Sequence, residues 1–148
     1  MPTTRYRVAT EADIPAMSAI RLAVSENRLR DPGRITHAMY QDYLASKGRG
    51  WVGESGDGQI LGFAYADSAE GSIWALFVDP AHEGRGHGKA LLALAVNYLF
   101  KLGHARVVLS TGADTRADVF YQAQGWERGK MLSDHEVQYW LEKAQRQA

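Results

Sequence analysis

The chain contains no cysteine. A disulfide framework, a thiolate zinc site and a cysteine nucleophile are therefore excluded together. An excess of charge of either sign is also missing, since 17 Lys and Arg balance 17 Asp and Glu. That balance argues against nucleic acid or an anionic membrane surface as the main partner. Long apolar runs are absent. The most apolar stretch, Ala90 to Val96, is far too short to cross a bilayer. Met1 to Arg7 is polar and does not read as a signal peptide, so a cytoplasmic protein is expected. No repeat, low-complexity tract or linker divides the chain. Its 148 residues, 1–148, are expected to form a single domain.

Apolar periodicity and turn residues give the element order. Tyr6 to Ala9 reads as a short strand. Thr10 caps a helix, with Asp13 three residues on in a capping-box arrangement. Ile14, Met17, Ile20 and Val24 share one face of it, and it ends before Pro32-Gly33. Thr36 can cap a second helix carrying Tyr40, Tyr43 and Leu44. Trp51 to Gly53 and Ile60 to Ala66 flank Ser55-Gly56-Asp57-Gly58, a hairpin signal. Ser72 to Val78 is apolar almost throughout, as in a strand buried on both faces. Lys89 to Lys101 predicts a helix, Arg106 to Leu109 a strand, Asp114 to Gln124 a helix and Trp126 to Met131 a strand. Asp134 to Glu142 would tolerate a helix, but the alternation of Val137, Tyr139 and Leu141 favours a strand. The order β-α-α-β-β-β-α-β-α-β-β implies an α/β fold, with α and β elements around one mixed sheet of about seven strands.

The sharpest feature is Gly84-Arg85-Gly86-His87-Gly88-Lys89, set between the Ser72–Val78 strand and an apolar helix. Glycine allows close backbone approach to an anion. The free N–H groups and dipole of a helix start favour phosphate. Arg85, His87 and Lys89 add positive charge nearby. A P-loop needs a first glycine where Glu83 stands and a hydroxyl where Ala90 stands, so that motif fails. The dinucleotide fingerprint fails as well, because Lys89 and Leu91 occupy the places where its last glycine would fall. A tight turn joining strand to helix is the plain structural alternative.

The same stretch resembles the phosphate loop of the GNAT N-acetyltransferase family, written Arg/Gln-x-x-Gly-x-Gly/Ala after a Val-x-Pro strand end. Val78-Asp79-Pro80 supplies the strand end, and Gly86 and Gly88 fill the glycine places. Downstream, Asp114-Thr115-Arg116-Ala117-Asp118-Val119-Phe120-Tyr121, followed by Gly125-Trp126, is similar to the family's second motif, Asn-x-x-Ala-x-x-Phe-Tyr-x-x-x-Gly-Phe. Glu83, Asp114 and Trp126 depart from the pattern. A carboxylate at position 83 is unfavourable beside phosphates unless it points away.

The resemblance implies a GNAT-type fold and transfer of an acetyl group from acetyl-coenzyme A to a primary amine of a small molecule or peptide. Backbone groups of Leu76, Phe77 and Val78 would hold the pantetheine arm. Gly84, Arg85, Gly86, His87, Gly88 and Lys89 would hold the pyrophosphate, with Asp114, Ala117 and Phe120 completing the cofactor site. Tyr121 would donate a proton to the leaving thiolate; a packing role beside Phe120 is the alternative. Asp67, Glu70 and His82 lie near the ends of the central strand, but none of them stands out as a base. Asn27, Arg28 and Tyr40 are candidates for the acceptor side. Arg21, Asn27, Arg28 and Asp31 continue the apolar stripe of the first helix, either lining a cleft or forming a solvated helix end. Tyr40, Tyr43 and Trp51 fit a pocket or the core equally. No metal is expected, because His82 and His87 lack a carboxylate partner at helical spacing. Dimers are common among relatives, so a homodimer stays open. A non-catalytic acyl-CoA sensor and an enzyme with a longer acyl donor are the alternatives.

Overall fold

The structure is a computed structural model that describes residues 4–23, 37–42, 44 and 47–143. Its elements are β1 (Arg5–Val8), α1 (Ile14–Ala23), α2 (His37–Asp42), β2 (Gly48–Glu54), β3 (Ile60–Asp67), β4 (Ser72–Val78), α3 (His87–Lys101), β5 (Arg106–Gly112), α4 (Arg116–Ala123), β6 (Glu127–Met131) and β7 (Glu136–Glu142). This is the expected order. The readings on Val24, Asn27, Arg28, Asp31, Thr36, Tyr43 and the side chain of Tyr40 lie outside the described residues.

One seven-stranded sheet runs β1-β2-β3-β4-β5-β7-β6. Every neighbouring pair is antiparallel except β4 and β5, which are parallel. The elements form where local chemistry directs them. Asp13 accepts the Thr10 backbone N–H at 2.8 Å, fixing the chain's entry into the first helical turns. Arg7 of β1 holds both oxygens of that carboxylate at 2.9 Å. The strand and the start of α1 are thereby joined.

Two apolar clusters cover the two faces of the sheet. Ile14, Met17 and Ile20 of α1 pack with Val52, Phe63, Tyr65 and Ala75 on one face. On the other, Leu91, Ala95 and Leu99 of α3, with Leu92, Val96 and Phe100 beside them, cover Ala64, Ile73, Val107 and Val137. These rows sit four residues apart, as one helical stripe requires. Burying each large side chain contributes about 1.5–3 kcal/mol.

The sheet departs from regularity at its centre. Tyr65 pairs with Ala75 but Ala66 with Ile73, so Trp74 is an extra residue in β4. Such a bulge bends the strand and changes which face its neighbours occupy. Ile73 accordingly joins the cluster under α3, while Trp74 and Ala75 both lie on the α1 side. Only Ser72 pairs with a β5 residue, Val108. Beyond that pair β4 and β5 part. The prediction that Ser72–Val78 is buried on both faces is corrected here. Ile73 and Ala75 are buried, but Trp74, Leu76, Phe77 and Val78 are only partly covered, because the gap opens beside them.

Candidate active site

The gap between β4 and β5 leads into a cavity of about 940 Å³. That is at the upper end of typical ligand pockets. The glycine loop borders one side. Pro80 ends β4 in a 3-10 turn, Pro80–His82, capped by Asp79, whose carboxylate accepts the Ala81 N–H at 3.0 Å. Gly84 and Gly86 follow with φ of 77° and 86°, a region that other L residues rarely adopt. Gly86 is the N-cap of α3, so the helix begins at His87, two residues earlier than the sequence suggests. Beyond its own chain neighbours, nothing lies within 4 Å of where a Cβ at Gly84 or Gly86 would stand. The loop thus presents bare backbone and the first-turn N–H groups of α3 to the cavity, a fit for a pyrophosphate.

Of the residues proposed from sequence, Leu76, Phe77, Val78, Gly84, Gly86, His87, Gly88, Lys89, Ala117, Phe120 and Tyr121 line the cavity. Arg85 and Asp114 are not among its lining residues. Asp114 sits at the entry to α4 with φ 62°, and its N–H donates to Asp118 Oδ2 at 2.8 Å. Because Asp114 is left-handed, α4 starts at Arg116 behind the cap residue Thr115.

The charges around the loop differ from the expectation. His87 is buried, and the Tyr6 hydroxyl lies 2.9 Å from its Nδ1. Burial, and then the nearby His82 and Arg85, push the imidazole below its ordinary range, so it is uncharged at neutral pH. The cations at the cavity wall near the loop are Lys89 and Arg116. Arg116 lies 2.6 Å from Glu83 and pairs with it. This ion pair neutralises the unexpected carboxylate.

Tyr121 is almost fully buried, with its ring packed on Phe120, Trp126 and Tyr139 at centroid distances of 5.2, 5.6 and 5.6 Å. Burial alone raises its phenol far above the usual value near 10. The group therefore stays protonated and has a proton to donate at working pH. His82, the weak candidate base, lines the cavity with Nδ1 3.5 Å from Asp79.

The helix carrying Tyr121 is anchored by a buried carboxylate that sequence reasoning missed. Arg128 grips both oxygens of Asp118 at 3.1 and 3.2 Å, and the Tyr139 hydroxyl also donates to it. Arg128 and Tyr139 hold the Asp118 carboxyl well below the usual carboxylate range, against the opposing effect of burial.

The cavity continues through the sheet. Val107, Leu109, Val137 and Tyr139 face α3 and α4, so their strand neighbours Ser110, Glu136 and Gln138 face the α1 side. Those three line the cavity together with Arg21, Trp74 and Leu132. Strand alternation separates the two faces but does not say what covers each, so this wall was not legible in the sequence. Among the described residues no group of three or more His, Asp or Glu could hold a metal.

Comparison with known proteins agrees with this layout. A family model described as the acetyltransferase (GNAT) family matches residues 16–126. A mycothiol acetyltransferase of Kocuria rhizophila is 33% identical over 116 residues, covering 66% of this chain and 37% of that protein. The chain thus spans little more than a third of that relative's length. An N-acetyltransferase structure from Staphylococcus aureus Mu50 superposes with a TM-score of 0.79 at 19% identity, covering 95% of this chain and 98% of the other. The Salmonella typhimurium protein yncA, solved with its cofactor acetyl-CoA, gives 0.74 at 20% identity over 94% and 93% of the two chains. With the family match spanning the glycine loop and α4, the two elements that border the cavity, the chain belongs to the acetyltransferase (GNAT) family.

Proposed function

We propose that this chain is an N-acetyltransferase that moves an acetyl group from acetyl-coenzyme A to a primary amine of a small molecule in the cytoplasm. The observation that carries the reading is the passage between β4 and β5, with the glycine loop at one end and the Tyr121 phenol on its wall. The first-turn N–H groups of α3 and the backbone of Gly84 to Gly88 bind the pyrophosphate. Lys89 adds positive charge at the rim, and Arg116 cancels the charge of Glu83 there. The backbone of Leu76 to Val78, released from pairing with β5, offers its hydrogen bonds to the pantetheine arm. Ala117 and Phe120 close the wall opposite.

When bound, the cofactor supplies an activated thioester carbonyl. Tyr121 donates its phenolic proton to the sulfur as the C–S bond breaks under attack by the amine nitrogen. The amine attacks as the free base, having given its ammonium proton to water, and the second proton it sheds on forming the amide passes through water back to Tyr121. The balanced charge of the chain supports a small amine rather than nucleic acid as acceptor.

Acetyl-CoA binding by calorimetry, coupled to release of free coenzyme A with a panel of amines, tests the reading. Gly86→Trp places a bulky side chain where the loop needs bare backbone, and is expected to abolish binding while the far-ultraviolet spectrum is retained. Unaltered binding by that variant would refute the loop assignment. Binding by the wild type without transfer to any amine would favour the sensor.

A further inference from the structure

The wall of the cavity on the α1 side has a charge pattern that bears on the acceptor. The donor enters from the glycine loop, so the acceptor must approach from the opposite face of the sheet. On that face α1 contributes Arg21 and β7 contributes Glu136. Arg21 is only 6% exposed, an unusual burial for a guanidinium. Glu136 accepts a hydrogen bond from the Ser110 hydroxyl at 2.8 Å. Gln138, two residues along the same strand face, adds an amide to the same wall.

From this arrangement we infer that the acceptor is an amine that also carries a carboxylate, such as an amino acid or an amino-acid conjugate, with Arg21 as its carboxylate ligand and Glu136 facing its amine. This rests on the acetyltransferase reading above and narrows it.

A guanidinium is permanently charged and carries five N–H donors in a planar fork that matches a carboxylate. Five donors leave room for a ligand carboxylate beside any protein partner Arg21 keeps. An amine arrives at neutral pH as the ammonium, which the Glu136 carboxylate on the cavity wall attracts. A monoamine without a carboxylate gains the Glu136 contact but brings no anion to the Arg21 fork, so it forgoes the charge-assisted hydrogen bonds that the acid makes there. Discrimination thus comes from the Arg21 pair.

The test uses acetyl-CoA with α-amino acids and short ω-amino acids, each beside its carboxamide and the matching monoamine, with coenzyme A release as readout. At least one free acid is expected to exceed its carboxamide by tenfold or more in kcat/KM. Arg21→Gln is expected to bring that ratio towards one, mainly by raising KM for the acid. Arg21→Lys, which keeps the charge but not the fork, should retain part of the preference. Glu136→Gln should lower kcat/KM for acid and carboxamide alike. Calorimetric acetyl-CoA binding by each variant shows that it has folded. Carboxamides or monoamines turned over as well as the acids would overturn this inference and leave the acetyltransferase reading standing. An unchanged acid preference in Arg21→Gln would likewise overturn it. Silence with every amine, while acetyl-CoA still binds, would instead overturn the transfer reading and this inference with it.

Discussion

The Glu83 carboxylate and the Arg116 guanidinium lie 2.6 Å apart, tying the glycine loop to the first turn of α4. Both residues line the cavity. The pair accounts for a carboxylate at the start of a loop proposed above to hold phosphate. Unit charges about 4 Å apart interact by about 1 kcal/mol in water and about 4 kcal/mol near a protein surface. An unpaired Glu83 would set that repulsion against the pyrophosphate.

Arg116→Gln is therefore expected to raise the acetyl-CoA dissociation constant by about tenfold at low salt. Glu83→Gln in the same chain should restore most of the loss. The Arg116 side chain is 70% exposed, so the pair contributes little to stability and the melting temperature should hardly move. Calorimetric titration of the two single variants and the double variant checks this. Equal affinities across the set would remove the pair from the binding site.

Much of this architecture is written locally. Ser72 to Val78 forms β4 with the bounds its apolar run suggests, and α4 ends at Ala123, one residue short of the expected Gln124, with Gly125 following at φ 87°. The glycine loop and Tyr121 reach one cavity because each is fixed by its own turn or helix. Contacts between distant segments were not legible. Glu83–Arg116, Asp118–Arg128 and Tyr6–His87 each depend on how remote elements meet, which no periodicity encodes. Arg21 shows the limit clearly. Its place on the apolar stripe of α1 was visible, but a stripe that turns polar at its end suits a solvated helix end as well as a cavity wall.

Asp118 gives a stability prediction with a defined sign. Its carboxyl is held below the usual range, so it stays ionised in the folded chain at pH values where the unfolded chain takes up a proton. That contribution is complete above the unfolded value near 4 and is lost as pH falls towards the folded one. Asp118→Asn should cost about 2–3 kcal/mol at neutral pH, less than a wholly buried pair because Arg128 is 39% exposed. The gap between wild type and variant should narrow below about pH 4. Urea unfolding at pH 7, 5 and 3 measures it, and a gap that widens on acidification would contradict the assignment.

His87 predicts a second acid-sensitive step at higher pH. The folded chain holds the imidazole neutral, with its pKa lowered mainly by burial. The unfolded chain binds a proton near pH 6.5. Stability should consequently fall as pH drops through about 6.5 and level off below the folded value. In His87→Gln this step should vanish while the acid loss from Asp118 remains. Tyr6→Phe removes the hydroxyl that meets Nδ1 and should cost about 1 kcal/mol. Melting temperatures between about pH 2 and 8 separate the two steps.

The strongest test of the chemistry is Tyr121→Phe. The phenyl ring retains its contacts with Phe120, Trp126 and Tyr139, so the fold and acetyl-CoA binding should be preserved. Under the proposed mechanism, loss of the hydroxyl removes the proton donor for the departing sulfur. General acid catalysis of this kind is typically worth about 10²–10⁴-fold, and the loss should appear in kcat and kcat/KM together. The raised phenol value adds a second readout. A tyrosine with an ordinary pKa would be half ionised near pH 10, whereas Tyr121, buried and lifted well above that, should keep its proton. The alkaline side of the kcat profile should then show no fall up to about pH 10. If chemistry is rate-limiting and the phenylalanine variant matches the wild type at every pH, Tyr121 is a packing residue and the thiolate leaves without its help.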